Sequence, residues 1–427
     1  MSESTETIDE ENSDSKTPWV MTEPKEVDEP KKDGFGLFII LALFVALWVF
    51  TSVQTFVVVI GIFVAMTLHE LGHFMTARWT GMKATQFFIF MGPRIWSFKR
   101  GETEYGIRSI PLGAFVRIVG MNNLDPCAPE DETRAYKNKS YPRRMLVITA
   151  GSIMHFIQAL IILTLLLSVV GIERNSGEDW VVLDTGGVSK EAGLIKGDKI
   201  LSVDDVDATS FQVMRDYVVE RPGEKVEITY ERDGNIKTAF PILSKNSDTG
   251  DGMLCLTQEN TSSKYRERSG PTAGFKAFGT FVVQTFAGLN RIPGGYAKAV
   301  SNIGTPKEIS VDPLANGCTG LNEEAYRPSS ILGFVQIAGQ AGSWEEVLIM
   351  LTAFNIFLGI FNLLPLLPLD GGHAAIATYE RLRSRKNKVH QADVNKLVPL
   401  TYVVVFLMIG LTIPLLVLDI VRPIVLG

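Results

Sequence analysis

Four long runs of this 427-residue chain contain no Asp, Glu, Lys or Arg: residues 34–68, 145–171, 347–369 and 397–418, with His155 their only histidine. Each is long enough to cross the roughly 30 Å hydrocarbon core as a helix. In lipid every backbone polar group must be paired within the structure, so such runs are helical. They dictate a polytopic α-helical membrane protein. The mean hydropathy of +0.16 averages these runs with polar segments between them. The first run is too long for one crossing, since 35 residues would reach about 52 Å as a helix. "FTSVQT" (50–55) interrupts it, which favours an additional transmembrane helix within 34–54 and a second over 55–79, against one long helix projecting from the bilayer.

The segment 1–33 is acidic, rich in Ser and Thr, and too poor in apolar residues to pack, so it reads as a disordered tail. Its acidic character does not suit the basic flank of a signal peptide. A net charge of −6 gives no footprint for nucleic acid. The three cysteines lack metal-type spacing, and Cys255 with Cys318 is the one disulfide considered. Basic residues set the orientation. Between Arg78 and Arg144 there are twelve Lys/Arg against six Asp/Glu, and "YERLRSRKNK" (379–388) is also strongly basic. The positive-inside rule places the loops 80–144 and 371–396 in the cytoplasm and the stretch 172–345 outside.

Within the second apolar segment stands "LHELGHFM" (68–75). Ionisable groups at that depth are costly and functional by default. His69 and His73 are four residues apart, on one helix face, and can offer imidazole nitrogens to one ion. Glu70 follows His69 about 100° round the helix, beside the ion as a base rather than on it as a ligand. That is the mechanical sense of H-E-x-x-H in zinc hydrolases. A catalytic zinc takes three protein ligands. His155, His373, His390 and Asp370 are the candidates for the third, and Asp370 also reads as a plain interfacial carboxylate closing the run 346–370. Gly371-Gly372 after it offer a sharp backbone turn.

Three stretches in order, "LHELGHFMTARWTGMK", "RGETEYGIRSIPLGAFVRIVGM" and "FNLLPLLPLDGGH", resemble the site-2 proteases, the intramembrane zinc metalloproteases of peptidase family M50. The resemblance spans residues 55–420 and is nearest to the PDZ-containing bacterial type of the actinobacterial branch. It implies one catalytic Zn2+ held by His69, His73 and Asp370, with Glu70 as the catalytic base. Asn362 and Pro365 match the family's N-x-x-P-x-x-x-x-D-G element, which implies a role for Asn362 in positioning substrate or polarising the scissile carbonyl; an asparagine joining two helices is the structural alternative. Gly151 fits the family's glycine in the next membrane helix, where it is grouped with the substrate-positioning residues. His155 departs from the Asn, Ser or Gly usual four residues on, and reads either as a hydrogen-bonding stand-in or as a packed interface histidine.

Residues 180–243 look like a PDZ domain of the bacterial protease type, within a unit bounded at 172–260. "KVEITYERDGNIKTAFPI" alternates and turns at Asp233-Gly234 as a hairpin, and "ATSFQVMRDYVVE" is a short amphipathic helix. Such domains take an extended peptide along a sheet edge; binding a substrate's exposed end and excluding substrates with intact outer domains are both open. In the loop 80–144, two β-prone runs flank "KRGET". The first is too apolar for a solvated loop, and the resemblance implies a reentrant element offering a strand edge. Residues 261–345 read as an extracytoplasmic amphipathic segment suited to lying on the outer membrane surface, where packing and the gating of substrate entry are both open.

The expected architecture is therefore a polytopic α-helical membrane protein with a reentrant cytoplasmic-side β-hairpin and an extracytoplasmic PDZ (α+β) domain. The expected function is zinc-dependent cleavage of transmembrane segments of single-pass proteins in the cell membrane. By the resemblance, the partner is an anti-sigma factor already cut outside. A zinc transporter and a metal-binding PDZ scaffold are the competing readings; neither explains Glu70 in the base position.

Overall fold

The computed structural model describes residues 34–121, 127–175, 180–208, 211–246, 250–259, 264–289, 292–301, 303, 309–310, 328–384, 390, 392 and 394–425. The acidic tail and Cys318, hence the Cys255–Cys318 pairing, lie outside the described residues. Among the described residues, Cys127 and Cys255 are free thiols.

Helix α1 (Gly34–Phe50) and helix α2 (Val53–Trp79) are separate, divided at Thr51-Ser52. Ser52 causes the restart: its Oγ accepts the Thr55 N–H at 3.1 Å, satisfying one of the orphan donors of the first turn. A long hairpin follows, β1 (Ala84–Arg100) and β2 (Thr103–Ile118), turning at Gly101 with φ +65°. Gly92 (φ +84°) and Gly113 (φ +72°) accommodate bends that fold the hairpin over itself. Phe87 thereby faces both Val116 and Tyr105, and Phe88 both Phe115 and Gly106. The first half of β1 is central, and Ala114–Ile118 forms an outer strand. Arg108 is held against the Phe88 and Phe115 rings, 4.7 and 4.6 Å from their centroids.

Helix α3 (Tyr141–Leu165) continues as a wider turn to Val170. Strand β3 (Ile172–Asn175) leads into a β-rich unit: β4 (Trp180–Thr185), α4 (Gly187–Glu191), β5 (Lys199–Val203), β6 (Val206–Asp207), α5 (Phe211–Val219), β7 (Ile228–Arg232), β8 (Asn235–Ala239), β9 (Ser244–Lys245), β10 (Gly252–Met253), β11 (Leu256–Glu259) and β12 (Lys264–Glu267). The main sheet runs β11-β4-β5-β7-β8, with β6 on β5, so β11 is an edge strand. Asp233 and Gly234 make the β7–β8 turn with φ of 53° and 76°, the positive pair that a tight hairpin requires. Ile200, Val203, Met214 and Ile228 fill its core. Beneath them Asp198, fully buried, accepts from Arg232 at 2.6 and 2.7 Å and from the Ile195 N–H at 2.8 Å.

The chain returns through α6 (Pro271–Leu289), α7 (Ile292–Ser301), β13 (Ile309–Ser310) and α8 (Ile331–Gly339) to α9 (Trp344–Asn362), α10 (Asp370–Arg383), α11 (Val398–Val421) and β14 (Ile424–Val425). Phe278, Phe281 and Val282 of α6 pack with Phe156, Ala159 and Ile356, so this helix lies against α3 and α9. Among the described residues, four helices are long and apolar enough to cross a membrane: α2, α3 with its extension, α9 and α11. Helix α1 is apolar but shorter, at 17 residues.

The third charge-free run requires a correction. The run 346–370 is not one helix ending in Asp370. Helix α9 stops at Asn362, and Asp370 opens α10. Pro365 and Pro368 lie between; each lacks an N–H and disfavours helix in the residue before it. Gly371 and Gly372 also serve differently from the expected sharp turn. Both are helical, and a Cβ on Gly372 would lie 2.7 Å from the Leu367 nitrogen, while one on Gly371 would collide with the Leu363 and Leu364 carbonyls. Glycine here permits residues 363–367 to fold back on the start of α10.

Candidate metal centre

Helices α2 and α3 cross closely because both are bare at the crossing. A Cβ on Gly72 would stand 2.6 Å from Met154 Cγ and 2.8 Å from the Ala150 carbonyl oxygen; one on Gly151 would meet the imidazoles of His69 and His73, 2.6 Å from His69 Nε2. Gly151 thus packs against the histidines themselves. The crossing also brings the Val147 carbonyl of α3 to His73, which donates its Nδ1 proton over 2.7 Å. A carbonyl only accepts, so this contact fixes the tautomer and leaves Nε2 of His73 with its lone pair.

Helix α10 is anchored to the same face of α3. Arg144 and Glu380 form a buried ion pair beside Tyr136, and Tyr141 meets Thr378 at 3.2 Å. This places Asp370, the first residue of α10, against the two histidines. Its Oδ2 is 3.3 Å from His69 Nε2 and 3.2 Å from His73 Nε2, and the two nitrogens are 3.1 Å apart. Three donor atoms, two from neighbouring turns of α2 and one from about 300 residues further along the chain, thus form a nearly equilateral triangle.

That triangle fits zinc. Tetrahedral ligation with bonds of about 2.0–2.1 Å sets donor atoms roughly 3.3 Å apart. Two imidazole nitrogens and one carboxylate oxygen are a donor set of the catalytic zinc kind. All three atoms bring lone pairs to one point, and Asp370 Oδ2 is buried with no hydrogen bond. Both histidines are buried as well. Of the other candidates for the third position, His155 and His373 fall outside this group, whose atoms lie within 4.8 Å of one another. His390 sits beside Tyr379 and Ser384.

Glu70, half-buried, accepts the Val116 N–H through Oε2 at 3.1 Å. Val116 belongs to the outer strand 114–118, so its N–H points away from the hairpin ladder and towards the site. Along that outer edge runs a cavity of about 690 Å³, lined by Phe115, Val116, Arg117, Leu367, Pro368 and His373 among others. Asn362 ends α9, partly exposed, and its amide makes no hydrogen bond among the described residues. Pro365 is exposed in the link to α10.

Peptidase family M50 matches this chain over residues 55–409. The chain belongs to that family. The zinc metalloprotease Rip1 of Mycobacterium tuberculosis strain H37Rv is 33% identical over 398 residues, covering 86% of this chain and 96% of that one. Rip1 of Mycolicibacterium smegmatis is 32% identical over 397 residues, covering 85% and 96%. Among solved structures, the PDZ domain of an SdrC-like protein from Listeria monocytogenes aligns with 20% of this chain and 92% of its own, at 22% identity and a TM-score of 0.18. As an M50 peptidase of the site-2 type with actinobacterial relatives, the chain is a zinc metalloprotease and a membrane protein.

Three residues of the centre carry no signal in the sequence motif. Val147 and Val116 act through their backbones, which any residue would supply. Asn355, buried and bonded to His155, lies two turns before Asn362 in the same helix; an asparagine in a charge-free run is the only trace it leaves.

Proposed function

We propose that this protein is an intramembrane endopeptidase that cuts transmembrane helices of single-pass proteins, with His69, His73 and Asp370 holding one zinc ion and Glu70 serving as the base. The observation that carries the proposal is the triangle of donor atoms at 3.1–3.3 Å beside a glutamate tied to a strand edge. Zinc, when bound, supplies a Lewis acid that activates water near neutral pH and steadies negative charge on an oxygen. The protein supplies the rest. Glu70 takes a proton from the attacking water and returns it to the leaving amine. Val116 engages one carboxylate oxygen, which leaves the other for that proton.

A peptide bond inside a membrane helix is protected by its own hydrogen bonds. An unwound substrate segment needs replacement partners at once, because hydrocarbon offers none. The outer edge of 114–118, with the cavity beside it, suits a substrate strand added to the hairpin. Asn362 would polarise the scissile carbonyl with its unengaged amide, while Pro365 keeps the link to Asp370 out of helix. Gly151 would act on substrate indirectly, by giving the imidazoles room.

The basic loops favour an active site near the cytoplasmic face, with the hairpin reentrant from that side and the β-rich unit 172–260 outside as a PDZ domain. In that reading, the edge strand β11 takes up peptide ends. The substrate class would be an anti-sigma factor shortened by a first external cut. Co-expression of wild type and Glu70→Gln with candidate single-pass proteins tests the proposal. A membrane-internal cut made by the wild type alone supports it; equal cutting by both refutes it. A transporter would still move zinc with Gln at position 70, and a scaffold would be indifferent to the change.

A further inference from the structure

His155 is fully buried in α3, one turn beyond Gly151, and its ring lies 4.9 Å from that of His69, tilted by 41°. Its Nδ1 is 2.9 Å from Asn355 Oδ1. The Asn355 amide NH2 is committed to the Leu351 carbonyl at 2.8 Å, so the Oδ1 is an acceptor and His155 Nδ1 carries the proton. His155 Nε2 therefore holds a lone pair, and it is buried without a hydrogen-bond partner.

The neighbouring ring of His69 carries the complementary atom. His69 turns its Nε2 to Asp370 and His73; with Nε2 given to the metal its Nδ1 carries the proton, and that Nδ1 too is buried and unpartnered. An unpartnered donor thus lies on one ring and an unpartnered acceptor on the ring beside it. The parallel with His73 is direct, since that residue gives its Nδ1 proton to the Val147 carbonyl.

We propose that His155 is a positioning residue for the metal: held by Asn355, it accepts the Nδ1 proton of His69 and so fixes the tautomer and angle at which His69 presents Nε2. The proposal rests on the reading of His69, His73 and Asp370 as zinc ligands. Partners of this kind, one bond removed from the metal, orient a ligand and raise its basicity, and losing one weakens metal binding by about 10–100-fold.

Two replacements of similar size separate positioning from packing. His155→Gln keeps an acceptor for His69 and a donor for Asn355; His155→Met fills the space but offers little to an N–H. The measurement is zinc affinity of the full chain in detergent, by competition with a chromophoric chelator. It is joined by the visible absorption of the cobalt(II)-substituted protein, which reads ligand geometry. The expected result is a 10–100-fold weaker affinity and an altered cobalt spectrum for His155→Met, with His155→Gln within about threefold of wild type. Asn355→Leu, which frees the His155 ring, should fall between them. Equal affinities for the Gln and Met forms, or wild-type affinity in the Met form, would overturn the proposal. If wild type itself bound no stoichiometric zinc, the metal reading would fail and this proposal with it, a result distinct from a loss confined to the Met form.

Discussion

Each imidazole of the centre has two nitrogens and two duties. Nε2 of His73 is available because Nδ1 is occupied by Val147, and this coupling makes the site sensitive to residues that touch no metal. Gly151→Ala is the sharpest case. Its new methyl would press on both rings, 2.6 Å from His69 Nε2, and zinc affinity should fall by about tenfold or more, measured by chelator competition. Glu70→Gln should do the reverse: zinc stays, and cleavage drops by roughly 10²–10⁴-fold, the usual contribution of a positioned base. The H-E-x-x-H spacing was legible because it is local, a single helix face with a base beside it. Asp370 stood among four candidates for the third ligand, and only the family resemblance singled it out, since nothing in its neighbourhood points about 300 residues back. The Val147 and Val116 contacts were illegible in principle, because a backbone group leaves no mark on the sequence.

Between elements, two contacts hold the site together. The first joins α3 to α10 through Arg144 and Glu380, each side chain 11% exposed. Glu380→Ala would strand a guanidinium in a mostly dry site, a loss of about 3–5 kcal/mol for a buried pair broken on one side. The full chain should melt earlier in detergent and release zinc more readily. The second joins α2 to the hairpin through Glu70 and Val116. Because that N–H faces away from the ladder, Val116→Pro removes no hairpin bond. Zinc affinity should hold while cleavage falls by about tenfold or more, since a misplaced base is a partial loss of general-base catalysis. The helix boundary at Asn362 was readable from Pro365 and Pro368, yet the charge-free run around them suggested an unbroken span. Hydropathy registers the lipid and is silent about where a helix stops inside it. The bent hairpin shows the same limit: "KRGET" marked its turn, but the folding-over at Gly92 and Gly113 depends on tertiary pairing of Phe87 and Phe88 with two stretches of β2.

Across the whole molecule, charge-free runs specify a membrane protein, and the basic loops carry the proposed orientation. Single cysteines placed at hairpin positions near Gly101 and in the basic loop near Arg383 should be labelled from one side of the membrane, and cysteines in β7–β8 from the other. Labelling of all three from one side would contradict the orientation. The global arrangement then has one chemical purpose, to bring two histidines of α2 and an aspartate of α10 to one point beside Glu70. Metal analysis of the purified full chain tests this most directly. The account predicts one zinc per chain in wild type and in Glu70→Gln, and a severalfold or greater loss of affinity in Asp370→Ala. Wild-type protein without stoichiometric zinc, or an Asp370→Ala form that holds the ion as firmly as before, would contradict it.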